Sequence, residues 1–252
     1  MSNRVLVSGT PTQWVRRPGG NIQCAGCHHP SVERLICEVV EELEIADKTI
    51  AISGVGCSTR FTVPVDLDGL VTAHGRAPDA ATGIKRVHPD AMVFTVQGDG
   101  DCIAIGAGPL IGAVSRAERI TVIMVNNANF GTTGGQMAPT SLMGQVTETT
   151  PQGRSASTGY PMHVPELLAT VKGVAYCARC TVHTPANYQR TKKYVKSAFQ
   201  KQLDNVGFSF VEILAACPPN WRMSPIQCLK WIEETMIPEF PLGEFKNVDK
   251  IE

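Results

Sequence analysis

The sequence predicts an α/β domain built on a mostly parallel sheet flanked by helices, and three observations carry that prediction. Short apolar runs alternate with segments of helical period along most of the chain. Two of these runs, residues 91–96 and 120–125, are separated by a small-residue segment of the length that a βαβ crossover needs. Each run then breaks into a loop of polar residues, Gly98-Asp99-Gly100-Asp101 after the first and Asn126-Asn127-Ala128-Asn129 after the second. In an open parallel sheet, strands joined by right-handed crossovers end on one edge, so the acid and the amides face a common ligand. Asp99 and Asn127 offer the hard oxygens that suit Mg²⁺, an ion that usually arrives with phosphate. Gly98 and Gly100 let the backbone come close to a diphosphate at the start of the following helix.

Composition narrows the classes. The 252 residues suffice for one large domain or two small ones; the organisation expected is an arm over 1–22, a single domain over 23–232 and a charged, proline-containing tail over 233–252 that docks on a neighbour. With 23 basic and 23 acidic residues there is no electrostatic footprint for nucleic acid or an anionic membrane. Residues 1–11 lack the apolar core of a secretory signal, and no apolar run reaches membrane-spanning length, so a cytoplasmic protein is expected. In a reducing compartment nine cysteines, an odd number, argue against a disulfide framework and for metal or cluster ligation by a subset, the rest being small buried hydrophobes.

Taken in order, residues 1–20 show no period and read as an extended arm. Cys24-Ala25-Gly26-Cys27-His28-His29 runs into a helical pattern in which Val32, Leu35, Ile36, Val39, Val40 and Leu43 share one face. Cys24 and Cys27 thus sit on a turn at a helix start, where two thiolates reach one metal or iron–sulfur site or serve redox exchange. Residues 49–53 form a short buried strand, broken by Gly54-Val55-Gly56-Cys57; taken alone, Cys57 reads as a buried thiol. His74, before Gly75, is by itself a satisfied core histidine, and 77–86 is a helix packed against the sheet. Residues 102–117 supply the crossover helix. Phe130 to Gln136 is glycine-rich and placed to wrap a ligand, and 139–160 is a polar loop of the length that is functional or mobile. Beyond it come a helix over 164–171, a strand over 174–177, a helix over 185–203 and a strand over 208–214 that ends near Cys217-Pro218. Cys177 and Cys180, spanning a strand end and the following turn, read as packing residues. Cys37, Cys102 and Cys228 fall on helices.

Gly98-Asp99-Gly100 and Asn126-Asn127, one βαβ unit apart, resemble the thiamine diphosphate signature. Together with Cys24-Ala25-Gly26-Cys27, Gly54-Val55-Gly56-Cys57, His74-Gly75-Arg76, Ala81 to Lys85, Thr133-Gly134-Gly135-Gln136 and Cys217-Pro218, they resemble, in order over residues 23–246, the beta subunit of 2-oxoacid:ferredoxin oxidoreductases. The resemblance implies a single thiamine diphosphate-binding domain, with a [4Fe–4S] cluster on Cys24, Cys27, Cys57 and Cys217. It implies Mg²⁺ on Asp99, Asn127 and the Asn129 carbonyl. It places His29, His74, Gly75, Gly98, Asp99, Gly100, Asp101, Asn127, Asn129 and Thr133 around the cofactor.

The activity implied is CoA-dependent oxidative decarboxylation of a 2-oxoacid to acyl-CoA and CO₂, with electrons passing through the cluster to ferredoxin and reverse carboxylation open. No nucleophile or general base stands out on this chain, and the family takes its activating glutamate from a separate alpha subunit. Gamma and ferredoxin-like delta subunits complete the expected assembly. Three positions depart from the family pattern: His28 where many relatives have glycine, Thr132 where many have a bulky apolar residue, and Pro219 where threonine is commoner. Two rivals stand beside this reading: a non-redox thiamine diphosphate decarboxylase or synthase subunit, and a zinc-stabilised, non-catalytic nucleotide-binding subunit.

Overall fold

The structure, a computed structural model, describes residues 9–15 and 23–251. Of the expected arm, residues 1–8 and 16–22 lie outside the described residues. The strands are β1 (Thr49–Ser53), β2 (Asp68–Val71), β3 (Met92–Gly98), β4 (Thr121–Asn126), β5 (Val174–Thr181), β6 (Phe208–Leu214) and β7 (Gly243–Asn247). They form one sheet in the order β2-β1-β3-β4-β6-β5-β7, parallel except for β7, which runs antiparallel to β5.

The central strands read as unbroken apolar runs because helices cover both faces. On one face α1 (His29–Glu42) and α5 (Pro185–Leu203) set Leu35, Val39 and Phe199 against Phe94, Ile123 and Val211. On the other, α2 (Ala77–Val87), α3 (Ala107–Ser115) and α4 (Val164–Ala169) bring Ala81, Leu110 and Leu168 to Val93, Val122 and Phe210. The start of α5 is written locally: the Thr184 hydroxyl accepts the Asn187 N–H at 3.2 Å, and Pro185 follows at the first helical position. A smaller core, with Trp221, Ile232, Met236 and Phe240 against Ala128 and Leu142, closes over the carboxyl ends of β4 and β6. It is built by α6 (Pro218–Trp221), α7 (Pro225–Trp231), the π-helical turn Ile232–Met236 and α8 (Ile237–Glu239), with Phe240 following.

Several expectations are corrected. The edge strand β2 carries no apolar run and is exposed throughout, so periodicity gave no sign of it. The crossover segment is split, a π-helical turn over Gly100–Ile105 preceding α3. Strand β5 continues to Thr181, which puts Cys177 and Cys180 both inside it; their thiols donate to the carbonyls of Pro165 and Glu212. The segment expected as a tail docking on a neighbour packs on the chain itself, with Phe240 buried and β7 paired to β5. The 139–160 loop is likewise tied down. Arg154, buried, donates to the carbonyls of Ala138, Pro139, Ser141, Gly159 and Tyr160 at 2.5–3.2 Å.

Candidate cofactor site at the carboxyl edge of the sheet

A cleft opens where β1, β3 and β4 end, concave and lined by residues from all three strand exits. His29, His74, Gly98, Asp99, Gly100, Asp101, Asn127, Asn129 and Thr133 all line it, together with Cys57 and Thr132. Gly75 stands behind this wall, its N–H donating to Asp101 at 2.8 Å.

At the floor, Asp99 is 1% exposed, and the Thr140 hydroxyl donates to its Oδ2 at 2.5 Å. Burial raises the Asp99 carboxyl to about 7, against the Thr140 hydroxyl and the Gly100 N–H, which both favour the ionised form. The Asn127 side-chain oxygen faces only oxygens, at 3.2 Å from Asp99 Oδ1 and 2.7 Å from the Asn129 carbonyl. Turned over, the Asn127 amide donates to both of these oxygens, which ties Asp99, Asn127 and the Asn129 carbonyl into one cluster whose oxygens are of the hard type that Mg²⁺ takes. The donor set therefore fits Mg²⁺. Above it, the buried His29 Nε2 has no partner, an open polar contact suited to an organic cofactor. Burial, then the neighbouring His28 and Arg60, lower this imidazole to about 4 and keep it neutral. His28 is also buried and lowered to about 4, by burial and by His183.

The loop that aims Asn127 and Asn129 in different directions turns at Ala128, which adopts the left-handed conformation (φ 56°) that a non-glycine residue takes only when held. It is held on both sides. Asn126 Oδ1 accepts the Ala128 N–H at 2.9 Å, while the Ser141 hydroxyl and the Gln145 amide donate to its carbonyl at 2.6 and 2.9 Å. Asn126 in turn donates to Glu212 at 2.6 Å, and Glu212 accepts from Arg179 at 2.7 Å, both fully buried. Arg154 holds the carbonyls of Pro139 and Ser141 on either side of Thr140. Sequence reasoning missed Thr140, Glu212, Arg179 and Arg154, because each acts across the fold and carries no local motif.

Asp101 plays a different part from Asp99. Its Oδ1 accepts the N–H groups of Val55 and Gly75 and meets His74 Nδ1, and its Oδ2 accepts from Gln97 at 2.6 Å. The carboxylate is spent on tying three loops together. A Cβ at Gly54 would overlap that same carboxylate, which fixes glycine there. Gly100 is constrained similarly: a Cβ there would overlap the Phe130 ring. Gly98 does face open space.

Beside the cleft, Cys24, Cys27, Cys57 and Cys217 come together from α1's leading turn, the β1 exit and the β6 exit. Burial pushes the Cys27 thiol up to about 12 and Cys217 to about 11, and it raises Cys57 as well. Beyond burial, the charged forms of Cys24, Cys57 and Cys217 push Cys27 further up, those of Cys57 and Cys24 push Cys217, and that of Cys24 pushes Cys57. Thiols held in the neutral form by burial become ligands when a cationic centre stabilises their thiolates, and four cysteines at one edge match the ligand count of an iron–sulfur cluster, so these residues fit one. Among the described residues no three His, Cys, Asp or Glu side chains gather within reach of one single ion. Cys37, Cys102, Cys177, Cys180 and Cys228 are buried elsewhere.

Glu33, 1% exposed on α1, accepts from Gln23 Nε2 at 3.0 Å, and the same amide donates to the Cys57 carbonyl at 3.1 Å. Its Oε2 has no partner, and burial raises the carboxyl from 4.5 to about 7, Gln23 pulling the other way. The neutral form is thus favoured in the fold: the stability it brings is fully present below pH 4.5 and is lost as pH rises through 7. Glu33→Gln is expected to stabilise the metal-free chain at pH 8 by about 3 kcal/mol and to change little at pH 4, measured by denaturant unfolding.

Residues 54–213 match the thiamine pyrophosphate enzyme family, C-terminal TPP binding domain. The chain is 40% identical over 91% of its length to ketoisovalerate oxidoreductase subunit VorA of Methanothermobacter thermautotrophicus, of which it spans 48%. It is 37% identical over 84% of its length to 2-oxoglutarate synthase subunit KorB of Archaeoglobus fulgidus, covering 76% of that chain. The 2-oxoglutarate:ferredoxin oxidoreductase from Magnetococcus marinus, solved with 2-oxoglutarate, coenzyme A and succinyl-CoA bound, superposes with a TM-score of 0.81 at 25% identity. That match covers 96% of this chain and 86% of the other. The oxygen site, the cleft and these relatives agree: the chain belongs to the thiamine pyrophosphate-binding subunits of the 2-oxoacid:ferredoxin oxidoreductase family.

Proposed function

We propose that this chain is the beta subunit of a 2-oxoacid:ferredoxin oxidoreductase, which converts a 2-oxoacid and CoA to acyl-CoA and CO₂ and passes electrons through a [4Fe–4S] cluster to ferredoxin, or runs in reverse. The observation that carries the reading is adjacency. The oxygens of Asp99, Asn127 and Asn129 and the sulfurs of Cys57 and Cys217 share one sheet edge, bridged by Asn129, whose carbonyl faces the oxygens while its Oδ1 meets the Cys217 thiol at 3.9 Å. When bound, thiamine diphosphate supplies the electron sink for decarboxylation and the cluster supplies one-electron transfer.

The chain's own residues position these groups. Asp99, Asn127 and the Asn129 carbonyl would hold Mg²⁺ and through it the diphosphate. Gly98 opens the floor to the diphosphate, and Thr133 stands at the rim. His29 offers a neutral imidazole to the cofactor face. His74, fixed by Asp101 and edge-on to Phe130 at 6.2 Å, shapes the opposite wall. Cys24, Cys27, Cys57 and Cys217 would ligate the cluster. The activating glutamate comes from a partner alpha subunit, with gamma and ferredoxin-like delta subunits completing a cytoplasmic complex; among the described residues no helix is long and apolar enough to cross a membrane.

A non-redox decarboxylase would leave the four cysteines at this edge without a role. A zinc scaffold would need them gathered within single-ion reach. The test is a coupled assay of the assembled complex across pyruvate, 2-oxoisovalerate and 2-oxoglutarate. CoA-dependent reduction of ferredoxin with at least one of them is expected; CO₂ release without acceptor reduction supports the non-redox rival instead.

A further inference from the structure

The Thr132 hydroxyl lies 3.1 Å from the Cys57 sulfur, across 75 residues of sequence, on the loop that walls the cofactor cleft. A sulfur bound to iron is a thiolate with no hydrogen of its own, so the hydroxyl is then the donor. The neighbouring sulfurs have donors of another origin. Cys27 is met by the backbone N–H and the Nδ1 of His29, the latter at 3.2 Å, and Cys217 by the backbone N–H of Asn220. Those backbone donors follow from the turns that carry the cysteines, whatever residues stand there. The donor to Cys57 exists only because residue 132 has a hydroxyl.

We propose that Thr132 is a tuning residue for electron transfer in this chain: its hydroxyl donates to the Cys57 sulfur and raises the reduction potential of the cluster beside the thiamine cleft. The inference rests on the cluster reading above. A one-electron reduction adds negative charge that is shared by the ligating sulfurs, so a donor aimed at a sulfur stabilises the reduced cluster more than the oxidised one. The electron enters from an external mediator, no proton moves, and no bond is made or broken beyond the strengthening of O–H···S. Arg60 also acts on Cys57, lowering its pKa through space, and it is untouched by a change at 132. An apolar residue at 132 removes the hydroxyl's share, leaves that of Arg60, and makes the cluster harder to reduce.

The experiment is a potentiometric titration of the full chain, loaded anaerobically with iron and sulfide and followed by electron paramagnetic resonance. Thr132→Val, equal in shape and lacking the donor, is compared with Thr132→Ser, which keeps it. Thr132 is exposed, so neither substitution disturbs the core, and iron and sulfide content per chain verifies loading. The midpoint is expected to shift to lower potential in Thr132→Val and to stay near the wild-type value in Thr132→Ser. An unchanged midpoint in Thr132→Val at full iron content overturns the inference alone, and so does an equal fall in both variants. A wild-type chain that takes up no cluster overturns the cluster reading and this inference with it.

Discussion

Asp99→Asn is expected to abolish Mg²⁺-dependent binding of thiamine diphosphate, weakening it by more than about a hundredfold, the upper end of what loss of a mere supporting residue does to metal affinity. The variant keeps the shape of the side chain beside Thr140 but removes the one charge from the cluster of Asp99, Asn127 and the Asn129 carbonyl. The same carboxyl sets a pH dependence. Burial raises it from 3.8 to about 7, so protonation stabilises the metal-free fold, and that stability is lost as pH rises through 7. Mg²⁺ takes the carboxylate form, so cofactor affinity in the wild type strengthens as pH rises towards 7 and levels off above it. Calorimetric titration of Mg²⁺ and thiamine diphosphate between pH 5.5 and 8, as round working values, reads both effects. Asp99→Asn should show neither the binding nor the slope.

The largest loss of stability is expected at Glu212. Arg179 is fully buried, and its guanidinium is shared between Glu212 at 2.7 Å and the partly exposed Glu166 at 2.7–2.8 Å, with the rings of Phe240 and Phe245 stacked near it. Glu212→Leu leaves that charge half compensated and strips Asn126 of its acceptor. A loss of about 3–5 kcal/mol in unfolding free energy follows for breaking a buried pair from one side. The double variant Arg179→Met with Glu212→Leu removes both charges and should recover part of the loss. Equal destabilisation in the single and the double variant would show that the packing of Glu212, not its charge, is what matters. Because Asn126 holds the Ala128 turn, Glu212→Leu should also weaken cofactor binding, although Glu212 lies behind the cleft.

Features whose signal is local were legible in the sequence. The apolar runs of β1, β3, β4 and β6, the amphipathic α1 and the capped α5 depend on neighbours a few residues away, and all are present. So were the two loops at the ends of β3 and β4, since their polar residues interrupt apolar strands. Features made by pairing across the fold were not. Strand β2 is an exposed edge whose two apolar residues, Leu70 and Val71, are too few to show a period. A strand reading of β5 stops before Arg179 because a charge inside a central strand looks forbidden until Glu166 and Glu212 are seen beside it. Strand β7 is defined by its pairing to β5, and a charged segment says nothing of that. At the site, the composition of the Asn126-Asn127-Ala128-Asn129 loop was visible, whereas its left-handed turn and the hold of Asn126, Ser141 and Gln145 on it were not. Asp101 and Gly100 line the cleft as their sequence position suggested, and the supporting contacts they also make, to three loops and to the Phe130 ring, carried no local signal.

The proposal of a cation–diphosphate site and a four-cysteine cluster on one sheet edge of this chain is decided by iron and acid-labile sulfide analysis of the anaerobically purified full chain, read with its absorbance spectrum. A brown protein with about four irons and four sulfides per chain, both lost in Cys217→Ala, is expected. A colourless chain that carries zinc, or iron content unchanged in Cys217→Ala, would contradict it.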